Sequence, residues 1–173
     1  MAKLFYTNIP SEEELSRSAS TFPEADKSTL FTHLLLRRVS TDLEINLDAL
    51  FSQYNLSTGR FTLMNLLREN TQGLMPSEIS QRVGVTQATI SGLISSLEKA
   101  ELVHRETHEK DGRAYVIKLT QQGTDLIKKI IPEYFGRIET FWSNFSQDEK
   151  KEMNEYFDRM LKNINALGAT IKQ

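Results

Sequence analysis

The sequence predicts a mostly α-helical fold with one small β-hairpin, a winged helix-turn-helix with further helices at both ends. Three observations predict it. A short helix, a Gly-containing turn and a second helix follow one another from Pro76 to about Leu97. Two strand-like runs, Val103 to Thr107 and Ala114 to Leu119, then flank the charged loop His108-Glu109-Lys110-Asp111-Gly112-Arg113. Apolar residues recur at helical spacing before and after this stretch, over more chain than so small a module needs.

Residues 1–26 read as an arm, in which Ser11-Glu12-Glu13-Glu14 has capping-box spacing and is able to start a short helix. A long helix runs from about Lys27 to Tyr54, with Phe31, Leu35, Val39, Leu43, Leu47, Leu50 and Tyr54 at steps of 4, 4, 4, 4, 3 and 4. Leu34, Leu36 and Ile45 widen its apolar surface, as in a helix that packs on more than one neighbour. Ser57 caps the next helix, with Leu56 and Phe61 as its hydrophobic staple. That helix carries Phe61, Met64 and Leu67 and ends near Asn70.

Pro76 sits at a first helical position, Ile79 and Val83 are the apolar contacts of its helix, and Gly84-Val85 makes the turn. Thr86 caps the second helix, with Val85 and Ile90 placed as a staple. Ile90, Leu93, Ile94 and Leu97 mark its buried face. The opposite face, Gln87, Ala88, Ser91, Gly92 and Ser95, is small, polar and uncharged, and can approach another surface closely. In helix-turn-helix units the second helix enters the DNA major groove. Asp111-Gly112 signals the hairpin turn, because Gly tolerates positive φ. Thr120 caps a helix with Leu126, Ile127, Ile130, Tyr134, Ile138, Phe141 and Trp142, which Pro132 is expected to bend or break. Ser146 to Glu149 is a second capping box, opening a last helix with Met153, Phe157, Met160, Ile164 and Leu167 at steps of 4, 3, 4 and 3.

From Ser77 to Gly123 these residues resemble the MarR family of bacterial transcriptional regulators. The resemblance is carried by VTQATISGLISSLEKAELVHR, by the wing DGRAYVIKLT and by the LTQQG that opens the next helix; in pattern it extends from Leu30 to Ile131. It implies one domain over 1–173, with dimerisation helices at 27–55 and 121–173 and a winged DNA-binding lobe at 57–120. It further implies a homodimer on a pseudo-palindromic double-stranded operator, acting as a repressor released by a small organic ligand. Arg113 would reach into the minor groove, with Asp111 as turn former or as the partner orienting it. Thr86, Gln87, Ala88, Thr89, Ser91, Gly92 and Ser95 would face the bases: Gln pairs with adenine, Ser with several edges, and an Ala methyl packs on thymine.

The chain departs from the family pattern in two places. Glu101 stands where members usually carry Gly, and no Lys or Arg lies between Arg82 and Lys99. Phosphate contacts then fall to Arg82, Arg105, Lys110 and Arg113. The resemblance also implies a cleft for a small aromatic acid. Arg37 or Arg38 would hold its carboxylate, with Phe61, Met64 and Met75 as apolar wall. Arg38 is equally placed to pair with Asp42 at i, i+4. His33, His104 and His108 are too scattered for the zinc sensing seen in some relatives.

The 173 residues carry a net charge of −2. From Pro76 to Thr120 six Lys and Arg balance six Asp and Glu, so any positive potential must come from placement. That neutrality motivates a second reading, a winged helix used for protein–protein contact. The absence of Cys excludes disulfides, Cys-ligated zinc and thiol-based peroxide sensing. No stretch approaches a membrane span, so a cytoplasmic chain is expected. No metal cluster, nucleophile–base motif or Gly-rich phosphate loop stands out. The expectation is a binding protein without cofactor rather than an enzyme.

Overall fold

A computed structural model of the protein describes residues 10, 11, 13, 14, 26–108 and 111–170, without the side chains of 108, 111–114 and 165–170. Helix starts lie where side chains take up orphan amide groups. The Asp26 carboxylate accepts from the N–H of Ser28 and Thr29 at 3.3 and 3.1 Å and opens α1, Lys27–Ser52. The Ser57 hydroxyl accepts from Arg60 N–H and opens α2, Thr58–Glu69, while Leu56 and Phe61 are both buried as the staple requires. Pro76 is the first residue of α3, Pro76–Val83, and Glu78 accepts from Met75 N–H at 2.8 Å. Thr86 opens α4, Gln87–Lys99. Thr120 opens α5, Gln121–Trp142, and Ser146 opens α6, Gln147–Thr170. In the arm, Ser11 and Glu14 exchange the two hydrogen bonds of a capping box, at 2.8 and 3.2 Å.

Between α4 and α5 lies a two-stranded antiparallel sheet, β1 Val103–His108 and β2 Asp111–Leu119. Val103 pairs with Leu119, Arg105 with Ile117 and Thr107 with Tyr115. The next pair is His108 with Asp111, which leaves Gly112, Arg113 and Ala114 unmatched on β2. This corrects the expected hairpin. Asp111-Gly112 belongs to β2 rather than to the turn, and β2 begins three residues before Ala114. The surplus residues are taken up as a bulge. Leu74 adds a single bridge to Ile117 on the other edge of β2, with N–H to O distances of 3.2 and 2.9 Å.

The chain divides into two compact units, residues 1–130 and 131–173. The core of the first is apolar apart from Thr41 of α1, the buried polar residue among the described ones. Leu50 and Phe51 of α1, Leu63, Met64 and Leu67 of α2, Ile79 of α3, Ile90, Ile94 and Leu97 of α4, Ile117 of β2, and Ile127 and Ile130 of α5 are all essentially inaccessible. Phe51 and Phe61 stack with ring centres 4.1 Å apart. In the second unit no described side chain is fully buried. Phe141 and Phe145 both meet the Trp142 ring edge-on, at 4.9 and 5.5 Å. Of the expected bend or break at Pro132, the break does not occur: α5 is one helix through it. A proline forfeits one hydrogen bond, and the turns on both sides carry the helix through.

Candidate nucleic-acid interface

The turn between α3 and α4 follows from Gly84, whose φ of 68° places it in the left-handed region. Its N–H bonds to Ser80 O at 3.0 Å, and the Ser80 hydroxyl donates to Val85 O at 2.6 Å. The Thr86 hydroxyl caps α4 by accepting from Thr89 N–H at 3.3 Å. Val85 stays 40% exposed, so the expected staple with Ile90 is at best half made. Ile90, Ile94 and Leu97 hold one face of α4 in the core, and Arg60 of α2 reaches Ser96 Oγ from the side. Burial of that face leaves Thr86, Gln87, Ala88, Thr89, Ser91, Gly92 and Ser95 exposed together. At Gly92 an added Cβ meets nothing within 4 Å.

The far end of α4 is closed by a left-handed residue. Glu101 has φ 58°, its N–H bonds to Glu98 O at 2.9 Å, and Leu102 N–H bonds to Leu97 O at 3.0 Å. This is the usual helix-ending geometry, with Glu where Gly is favoured. Thr120 then ties the wing base to this end. Its hydroxyl donates to Glu101 O at 2.6 Å and accepts from Gly123 N–H at 3.0 Å. A Cβ on Gly123 would lie 2.0 Å from the Leu102 carbonyl oxygen, so the Leu-Thr-x-x-Gly spacing lets α5 start against the end of α4.

On the wing, Arg105 donates through Nε and Nη2 to the two carboxylate oxygens of Glu98, at 2.9 and 3.0 Å, and lies 4.8 Å from the Tyr115 ring centre. The hydrogen bond to Glu98 pushes the Arg105 guanidinium above its ordinary pKa. Lys118 donates to Glu106 at 2.9 Å and holds that carboxylate below its usual range, with His104 3.6 Å from it. The acidic groups of the lobe are thus in part neutralised by pairing rather than only turned aside. Arg82 donates to Asn70 at 2.9 Å. Lys110 and the side chains of Asp111 and Arg113 lie outside the described residues.

The residues considered for a ligand differ in exposure. Phe61 and Met64 are 4% and 0% exposed, spent in the core, and Arg38 bonds Asp42 at 2.5 Å along α1. Arg37 is exposed and Met75 half-buried. Sequence reasoning had not found Glu98, Tyr115, Arg60 or the left-handed Asn55 (φ 54°). A pair seven residues apart across a helix–strand boundary has no periodic signature.

A reading helix held by a buried face and a Gly turn, followed by an antiparallel wing, defines the winged helix-turn-helix class. Comparison narrows this: residues 54–114 match the model of the MarR family. The winged lobe is thus similar to the MarR-family domain, and the relatives that the chain matches are named as transcriptional regulators. It is 29% identical over 158 residues to the HTH-type transcriptional repressor YetL of Bacillus subtilis, covering 88% of this chain and 95% of that protein. It is 28% identical over 144 residues to the HTH-type transcriptional regulator PecS of Dickeya dadantii, covering 82% and 87%. The fold matches the Staphylococcus aureus MepR–DNA complex with a TM-score of 0.70 at 23% identity, covering 76% of this chain and 95% of that one. It matches the transcriptional regulator SlyA with a TM-score of 0.65 at 21% identity, covering 75% and 93%. Among the described residues no helix is long and apolar enough to cross a membrane.

Proposed function

We propose that the chain is a homodimeric transcriptional regulator that binds a pseudo-palindromic double-stranded DNA operator and acts as a repressor released by a small organic ligand. The observation that carries DNA binding is the outer face of α4. Its seven small or polar residues are exposed together, and a Cβ added at Gly92 would meet open space. The MepR–DNA complex, similar in fold, and the repressor YetL support the same reading. Dimerisation is supported by apolar surface left open on the single chain. On α1, Leu35, Val39 and Ile45 are 40%, 50% and 56% exposed; on α6, Leu161 and Ile164 are 59% and 60% exposed. Apolar residues left open in such runs mark an interaction surface. Two reading helices related by a dyad would then meet half-sites about one helical turn apart.

Release by a small aromatic acid is the finer part of the proposal. Arg37 and Met75 are the members of the considered set still open to a ligand. An effector works only if it binds the off-DNA geometry more tightly, and Arg37→Ala should blunt that response. A flat response across a broad panel of carboxylates overturns this part alone.

One observation favours protein–protein contact instead: α4 shows DNA no cation between its cap and Lys99, and Arg105 and Lys118 are paired. Selection of bound fragments from a genomic DNA pool, followed by salt-titrated gel shifts, decides between the readings. Arg113→Ala should lower affinity for a selected fragment by about 1–3 kcal/mol while leaving thermal unfolding unchanged. Equal binding by the variant removes Arg113 from the interface. A pool with no enriched sequence favours the protein-contact reading.

A further inference from the structure

We infer that Arg105 is a positioning residue, clamping the wing to the end of the reading helix, rather than one of the phosphate contacts. This rests on the DNA-binding proposal above. Glu98 lies in the last turn of α4, where the negative end of the helix dipole disfavours a carboxylate. A cation is therefore needed at this place for structural reasons. Arg105 of β1 supplies it with two near-parallel hydrogen bonds of 2.9 and 3.0 Å, the bidentate geometry that fixes both position and plane of a guanidinium. Tyr115 of β2, diagonal to Arg105 across the ladder, lies against that plane with its ring centre at 4.8 Å. One guanidinium thus joins α4, β1 and β2.

The wing needs such a joint. A two-stranded ribbon is marginal on its own, and the single bridge from Leu74 to Ile117 reaches only one side of it. Lys118 and Glu106 brace β2 to β1, not to α4. At the base, Thr120 already holds Leu102 O and Glu101 O. Arg105 lies farther out, midway along β1, where a small tilt moves the wing end most. Charge points the same way. A guanidinium paired to a carboxylate adds little net positive potential, so it releases few counterions when DNA docks.

Salt dependence separates the roles. With a selected DNA fragment, Arg105→Gln and Glu98→Gln should each weaken specific binding about tenfold, and the double variant about as much as either alone. The slope of log K against log salt should stay as in the parent chain. The charge swap Glu98→Arg with Arg105→Glu should restore part of the affinity. The inference is overturned if Arg105→Gln makes the slope shallower by about one and Glu98→Gln tightens binding, the signature of a freed phosphate contact. It is equally overturned if neither single variant changes binding. Hydrogen exchange on the DNA-free protein keeps the two proposals apart. Loss of the clamp should speed exchange at the β1 and β2 amides and leave α1 unchanged, whether or not the parent chain selects any DNA. Unchanged wing exchange in both variants also overturns the clamp.

Discussion

At Glu101 the backbone adopts φ 58°, a conformation that costs an L-residue about 1–2 kcal/mol and glycine almost nothing. Nothing in the surroundings depends on the side chain: the contacts made here are its N–H to Glu98 O and its carbonyl to the Thr120 hydroxyl. Glu101→Gly should therefore stabilise the lobe, by about 0.5–1 kcal/mol after glycine's greater freedom in the unfolded chain is subtracted. Chemical denaturation checks this, and a lower midpoint would show that the Glu101 side chain contributes more than its backbone strain. Gly92 is the opposite case. It sits inside α4, where Gly is about 1 kcal/mol worse than Ala, and a Cβ here would meet open space. Gly92→Ala should raise the melting temperature and weaken operator binding; full affinity in the variant would mean that DNA leaves room at this position.

Among the elements, α6 has a start that depends on pH. The Glu149 carboxylate accepts from Ser146 N–H and Oγ at 2.7 and 2.8 Å, and those bonds, the backbone one first, hold it below the usual carboxylate range. A folded value below the unfolded one means the contribution is complete above about pH 4.3 and is lost as pH falls through the lower folded value. Asp26, depressed chiefly by the Thr29 hydroxyl, gives α1 the same sign. Protection of the first-turn amides of α6, measured as exchange relative to the intrinsic rate at each pH, should thus fall on acidification from about pH 6 to about pH 3. Ser146→Ala should show fast exchange already at neutral pH; a pH-independent first turn would remove the capping box from the account. The caps at Ser57, Thr86, Thr120 and Ser146 were legible because a cap is a local contract between residues three apart. The wing register was not. Asp111-Gly112 satisfies the local rules for a turn, and only cross-strand pairing assigns it to β2 instead.

For the molecule as a whole, the apolar faces of α1 and α6 carry the dimer proposal. Removing Gln147 to Gln173 should abolish dimerisation or cause aggregation, since α6 supplies Phe157, Leu161 and Ile164 to open surface. Sedimentation velocity reads the outcome, and a full-length chain that stays monomeric at concentrations on the order of ten micromolar would refute the dimer, such obligate interfaces being far tighter.

The sequence by itself determined the elements and their order: helix periods, caps and a Gly turn are set by neighbours within one or two turns. It also determined which face of α4 turns inward, because Ile90, Ile94 and Leu97 recur at the helical period. Only the tertiary structure decided the fate of side chains whose partners lie elsewhere in the chain. Arg105 reads as a free cation until Glu98 and Tyr115 close around it. Phe61 and Met64, apolar positions that the resemblance also offers as a ligand wall, are buried in the core, and the reason for Gly123 in its motif shows only where Leu102 O lies at the place of its Cβ. Burial and pairing depend on which surfaces meet. That is settled by packing across the chain and not by spacing along it.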